Sequence, residues 1–198
     1  MISDAFQPLS YWTGFMAYPG WEGVIMDKHI YQVFTNDVSF FFGVCKTVVR
    51  TSRSIKFQEN HLNWDQHIQA ACARASELAS STTLWLVVGE WSTAAQDCAK
   101  YLNGRGRGSR YDGSFPGSSA VGSCIGLTGS AASFSSDYKT FLRKFWEAQV
   151  IAYERGGQGW IQWTWKTESA DEWSYRAGLF NGWIPWNPTD LQYRNICG

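Results

Sequence analysis

Glu90 is the residue whose type and setting best suit chemistry. It follows an unbroken apolar run, 84–88, and a glycine, and it precedes Trp91. Such a run reads as a buried parallel strand, and parallel-sheet folds place their reacting groups at the carboxyl ends of strands. A carboxylate there serves as a nucleophile, a general acid or base, or a metal ligand. A buried salt bridge or a helix cap is the structural alternative. His29 and Tyr31 stand at a second strand end, where they would donate hydrogen bonds to a substrate or to Glu90, although a lone His-x-Tyr suits ordinary packing equally well. Trp163 and Trp165 are two apart in the run 159–165, which as a strand would place both on one face. One or both would then floor a cleft for a sugar ring. Glu168, just beyond that run, is a competing carboxylate. No His, Asp or Cys cluster has metal-ligand spacing, no glycine-rich phosphate loop is present, and no Gly-x-Ser-x-Gly elbow occurs. Neither a metal nor a cofactor is therefore expected.

The elements that must position these residues follow from periodicity. Residues 24–26 are an apolar run, continued at period two by His29 and Tyr31, which predicts a strand. The runs 84–88, stopping at Gly89-Glu90, and 159–165 predict two more. A helical repeat over 61–80 predicts one helix. A clearer one over 135–155 predicts another, opened by Ser135-Ser136-Asp137 and closed by Gly156-Gly157. Strands separated by helices argue for an α/β fold with a parallel sheet in one domain, 1–198. The stretch 103–133 is rich in Gly and Ser and reads as a long surface excursion, with Cys98 and Cys124 available to pin it.

One segment, 38–58, has no periodicity, a Phe triplet and Cys45. Val-Ser and Phe-Gln at its two edges are compatible with splice-site codons, and its 21 codons preserve the reading frame. It reads as a retained intron, with an atypical family insertion as the alternative. Transcript reads joining Asp37 directly to Glu59 would support the intron.

Composition narrows the function. Seventeen basic and 17 acidic residues balance to zero charge, so neither nucleic acid nor an acidic membrane is an expected partner. No apolar run reaches 18 residues, so no membrane span is expected. The 12 Trp, 12 Phe and 9 Tyr exceed what a core alone requires and suggest a surface where flat faces meet sugar rings, although any single Trp is better read as core. Four of the five cysteines could form two disulfides, which would point to an oxidising compartment. The first residues do not read as a signal peptide.

Taken together, Asp4-Ala5-Phe6, Asp27-x-His29-x-Tyr31-Gln32-Val33-Phe34, Gly89-Glu90-Trp91-Ser92, the run from Asp97-Cys98 to Asn103-Gly104, and Trp163-x-Trp165-Lys166-Thr167-Glu168 resemble the fungal exo-β-1,3-glucanases of glycoside hydrolase family 5. Apart from 38–58 the resemblance covers nearly the whole chain. It implies the C-terminal half, about strands 5/6 to 8, of a (β/α)8 TIM barrel, beginning near the end of strand five. Met1 would then be an internal methionine of a longer enzyme. Such a half barrel exposes two sheet edges and should be marginally stable unless something caps it.

The resemblance also implies a retaining mechanism with two glutamates. Glu90 matches the nucleophile after strand seven. The acid/base belongs to an Asn-Glu-Pro motif that this sequence lacks, and neither Glu22 nor Glu168 matches its position. His29 and Tyr31 match residues lining the catalytic sugar site, and Phe34 an aromatic at the cleft entrance. Trp163, with some ambiguity toward Trp165, matches the platform beneath the catalytic sugar. Asn103, Arg107 and Arg110 fall in an insertion that walls the acceptor side. Cys98 would pair with Cys124 and Cys72 with Cys197, leaving Cys45 unmatched. The implied substrate is β-1,3-glucan or a short β-glucoside, hydrolysed from the non-reducing end. The parent enzyme is expected to be an extracellular or cell-wall monomer, and the chain alone is expected to be inactive. A non-catalytic glucan-binding remnant is the alternative.

Overall fold

The computed structural model describes residues 1–34, 59–80 and 83–198. Segment 38–58 lies outside the described residues. Three parallel strands form one open sheet in the order β1 (Ile2–Ser3), β2 (Ile25–Ile30) and β3 (Trp85–Trp91). Helix α1 (Trp64–Ser80) precedes β3, α2 (Ser136–Gly156) follows it, and a short α3 (Tyr175–Asn181) lies near the C-terminal end. This is the expected α/β class, in the open arrangement that part of a (β/α)8 barrel makes.

Two expectations about the strands need correcting. Segment 159–165 is not a regular strand. It touches β3 through one parallel bridge, Val88 to Trp160, with Val88 N donating to Gly159 O and Ile161 N to Val88 O. Beyond that, Trp163 N reaches Trp91 O, and the chain turns away as Thr164 N bonds Trp173 O. Its β-like composition thus serves a ribbon laid along β3, and the third strand is the short Ile2–Ser3. The second correction concerns β3, which does not stop before Glu90 but runs through Trp91.

The extra length of β3 contains a bulge. Lys28 is opposite Val88, yet His29 is opposite Glu90, so Gly89 is the unpaired residue. The consequence is directional. Leu86 and Val88 are buried, and strict alternation would have sent residue 90 to their side of the sheet. The added residue instead brings Trp91 to the buried side, against Tyr153 of α2, and leaves Glu90 on the opposite face beside His29. Glycine is required at the bulge because a Cβ there would meet Asp27 Oδ1 at 2.0 Å.

The helical layer is aromatic. Trp64 of α1 stacks on Phe141 of α2 at 5.0 Å and 11°, and Phe141 stacks on Phe145 at 5.5 Å. Helix α1 begins at Trp64 rather than at 61, because Asn63 and Gln66 form a reciprocal cap. Gln66 N donates to Asn63 Oδ1 and Asn63 N to Gln66 Oε1, each at 2.9 Å. Helix α2 starts as predicted, with Ser135 Oγ accepting from Tyr138 N. A disulfide joins Cys72 of α1 to Cys197, and a second joins Cys98 to Cys124.

Candidate functional site

The strand-end face is built from β2 and β3. Because paired residues in a parallel sheet project to the same side, Asp27 and His29 of β2 share a face with Glu90 of β3. Tyr31 follows β2 immediately and donates its hydroxyl to Glu90 Oε1 at 2.5 Å. His29 Nδ1 lies 3.2 Å from Glu90 Oε2. Each carboxylate oxygen of Glu90 therefore has one partner, while the side chain stays 30% exposed. Burial, then the hydrogen bond to Glu90 and its negative charge, push the Tyr31 phenol well above its ordinary value, so Tyr31 acts as a donor.

The chain after β2 is fixed so that Tyr31 cannot swing away. The next residue, Gln32, is buried and clamps α1, its Nε2 donating to His67 O and its Oε1 lying 2.8 Å from His67 Nδ1. Burial lowers the His67 pKa to about 4 and keeps it neutral. Val33 packs with Ala94, Ala170 and Trp173 in a small second core against which Tyr31 rests. Trp173 lies 5.8 Å from Tyr31 and 6.4 Å from Phe34, and Tyr31 meets Phe34 edge-on at 5.3 Å. Phe34 remains 42% exposed at the rim of this cluster.

Trp163 and Trp165 are 54% and 61% exposed. Their expected common face rested on a strand that is not there. The Trp163–Thr164 peptide is cis, and Trp165 stacks on Tyr175 at 6.0 Å. Trp163 is tied to the site through its backbone bond to Trp91, the residue after Glu90. Glu168 follows this turn and is exposed.

The 103–133 excursion is organised by Asp97, a residue that sequence reasoning did not single out. Its buried carboxylate accepts from Ser109 Oγ at 2.6 Å, from Arg110 N and Asn103 Nδ2 at 2.9 Å, and from Tyr111 N at 3.0 Å. Burial alone would raise its pKa, but these donors outweigh burial and hold it below the ordinary value. Asn103 Oδ1 accepts from Arg110 Nη1 at 2.6 Å, and the Arg110 guanidinium lies over Phe115 at 4.2 Å. Asn103 and Arg110 thus brace the loop, whereas Arg107 is exposed. Cys98–Cys124 closes the loop beside Ser109. Asp27, quoted in the resemblance but given no role there, belongs to the Glu90 face. Among the described residues no group of His, Cys, Asp and Glu could hold a metal ion, and no helix is long and apolar enough to cross a membrane.

Parallel strands ending in a carboxylate, with a tyrosine and a histidine turned onto it and aromatic rings at the rim, are consistent with the strand-end face of a partial (β/α)8 barrel. No family model matches the chain. Curated relatives do match, and through them the chain is homologous to the fungal glucan 1,3-β-glucosidases over nearly its full length. It is 41% identical over 197 residues to a probable glucan 1,3-β-glucosidase A of Aspergillus niger, an alignment covering 99% of this chain and 41% of that protein. It is 40% identical over 199 residues to the glucan 1,3-β-glucosidase of Yarrowia lipolytica, covering 100% and 42%. Against glucan 1,3-β-glucosidase I/II of Saccharomyces cerevisiae the identity is 39% over 203 residues, covering 100% and 40%. The chain therefore spans about two fifths of the length of the curated relatives it matches.

Proposed function

We propose that this chain carries the nucleophile side of a retaining exo-β-1,3-glucanase, with Glu90 as the group that attacks the anomeric carbon. One observation supports this above the others: Glu90 is partly open to solvent and oriented at both oxygens, by Tyr31 and His29. In a retaining glycosidase a second carboxylate about 5–5.5 Å away protonates the leaving oxygen, and water then resolves the glucosyl ester. The sequence supplies no Asn-Glu-Pro motif for that role. Asp27 does not replace it, since Oδ1 is buried and Oδ2 faces His29. The substrate on this reading is a β-1,3-glucan or short β-glucoside, cut from the non-reducing end to release glucose. Trp163 and Phe34 offer exposed rings for sugar faces, and Arg107 is exposed in the insertion that the resemblance assigns to the acceptor side. The two disulfides support an extracellular or cell-wall setting for the parent enzyme.

A leaving group that needs no protonation separates the nucleophile from the missing acid. Incubation with 2,4-dinitrophenyl 2-deoxy-2-fluoro-β-glucoside is expected to release dinitrophenolate and leave one fluoroglucosyl group on Glu90, found by peptide mass spectrometry. Laminarin should bind without releasing glucose. Labelling of another carboxylate, or equal labelling of Glu90→Gln, would overturn the assignment. Laminarin binding with no labelling at all would favour a glucan-binding remnant, the reading that the exposed Trp163, Trp165 and Phe34 support.

A further inference from the structure

Asp27 belongs to the strand-end cluster, yet the proposed reaction assigns it no part. Its Oδ2 lies 3.4 Å from His29 Nε2, while His29 Nδ1 lies 3.2 Å from Glu90 Oε2. The imidazole is thus held between two carboxylates, one at each ring nitrogen. Asp27 and His29 stand two apart on one strand, which turns both to the same face. The other oxygen, Asp27 Oδ1, is buried without a hydrogen-bond partner. It occupies the space that a side chain at position 89 would fill, 2.0 Å from where that Cβ would be. Leaving a buried carboxylate oxygen without a donor is unfavourable. The arrangement persists only if Oδ2 and the β3 bulge fix the carboxylate where it is.

We infer that Asp27 is a positioning residue for this site: by accepting a hydrogen bond from His29 Nε2 it fixes the orientation of the imidazole and turns Nδ1 toward Glu90. A ring nitrogen facing an oxygen that can only accept is the nitrogen that donates to it. With Nε2 donating to Asp27 Oδ2, the ring is held at the end remote from Glu90 and presents Nδ1 to Oε2. The edge of Phe6, 5.7 Å from the imidazole, closes another side of the ring. Gly89 is the second component, since any larger residue displaces the Asp27 carboxylate from His29. The functional meaning of this device rests on the reading of Glu90 as the working carboxylate, but its existence does not.

The test is made on the full 198-residue chain labelled with 15N in its three histidines, His29, His61 and His67. Long-range proton–nitrogen spectra report which ring nitrogen bears hydrogen. His29 is expected to show a protonated Nε2 in the unaltered chain. In Asp27→Ala the Nε2–H signal should be lost and the Nε2 shift should move, while His67 stays unchanged. Gly89→Ala should produce the same change with Asp27 still present. Asp27→Asn, whose amide oxygen can accept from Nε2–H, should restore the protonated Nε2 signal. An unprotonated Nε2 in the unaltered chain overturns the inference whatever the variants do, as does an unchanged His29 spectrum in folded Asp27→Ala or Gly89→Ala. Collapse of the His67 signal would mark a variant that has unfolded, and the remaining substitution then decides. No glucan enters the measurement, so failure of the glucanase reading and failure of this one are separate results.

Discussion

Two glutamates occupy the two sides of this molecule and are held in opposite ways. Glu147 of α2 is fully buried in the helical layer, where its carboxylate accepts three hydrogen bonds from three residues. Arg143 Nε reaches Oε1 at 2.5 Å, Gln192 N the same oxygen at 2.9 Å, and Tyr193 N reaches Oε2 at 2.6 Å. Glu90 at the strand ends has one partner per oxygen and remains open to solvent. A saturated, buried carboxylate holds structure together, because every lone pair that could act is already engaged. A carboxylate oriented but left reachable can meet an incoming group. On this contrast the helical layer supplies rigidity and the strand ends carry the proposed site.

Glu147→Ala is the strongest way to break the contrast. It leaves Arg143 buried with its charge unmatched and removes the acceptor from the amides of Gln192 and Tyr193, which tie the C-terminal segment to α2. Removing one partner of a buried pair typically costs about 3–5 kcal/mol. Urea unfolding should show a loss of that size. A loss under about 1 kcal/mol would show that this carboxylate is no structural centre.

Glu172 sharpens the contrast, being buried like Glu147 but short of donors. Thr128 Oγ1 donates to Oε1 at 2.6 Å, while Oε2 is buried without a partner. Burial accordingly raises its pKa from 4.5 to about 7. An acid with a raised folded pKa contributes stability that is present below 4.5 and lost as pH rises toward 7. At 1.36 kcal/mol per pH unit that is about 3 kcal/mol. His67 acts oppositely: its pKa is lowered from 6.5 to about 4, so its contribution is present above 6.5 and lost on acidification. The two slopes oppose each other between pH 4.5 and 6.5. Glu172→Gln should remove one of them. Relative to the unaltered chain, the variant should gain about 3 kcal/mol between pH 4.5 and 7.5, read from urea midpoints. A difference that does not change with pH would mean that Glu172 is ionised when folded.

Much of this arrangement was legible in the sequence, and the exceptions share a cause. Helix α2 followed from its period, its Ser135 cap and its closing glycines, all local signals. The later start of α1 was also local, since Asn63-x-x-Gln66 is a reciprocal cap in plain view. Glu90, His29 and Tyr31 could be named from strand-end position, and the resemblance placed them in one site. What could not be read was anything that depends on a neighbouring strand. The bulge at Gly89 exists only as a register between β2 and β3, and it decides which face Glu90 takes. Asp27 matters only because it faces a glycine across that register. Segment 159–165 has strand composition but meets β3 at a single bridge, which composition does not encode. The resemblance put Asn103 and Arg110 in a wall of the pocket, but that the buried Asp97 holds both is a long-range contact the sequence does not display.

The smallest expected effect is the most discriminating. Glu90→Gln removes the charge of the proposed nucleophile, and its stability cost should stay within about 0.5 kcal/mol, as for substitutions outside structural networks. The amide oxygen can still accept from the Tyr31 hydroxyl, so that contact survives. The side chain is 30% exposed, so water screens whatever charge balance is lost. A groups-for-groups exchange of this kind leaves the β2–β3 pairing and the Gly89 bulge untouched. The same substitution should nevertheless abolish covalent labelling by the fluoroglucoside, since an amide is no nucleophile toward an anomeric carbon. Unfolding midpoints measured beside Glu147→Ala place the two glutamates on one scale. If Glu90→Gln costs as much as Glu147→Ala, then Glu90 is a pillar of the sheet and the division between a rigid helical layer and an open strand-end site does not hold.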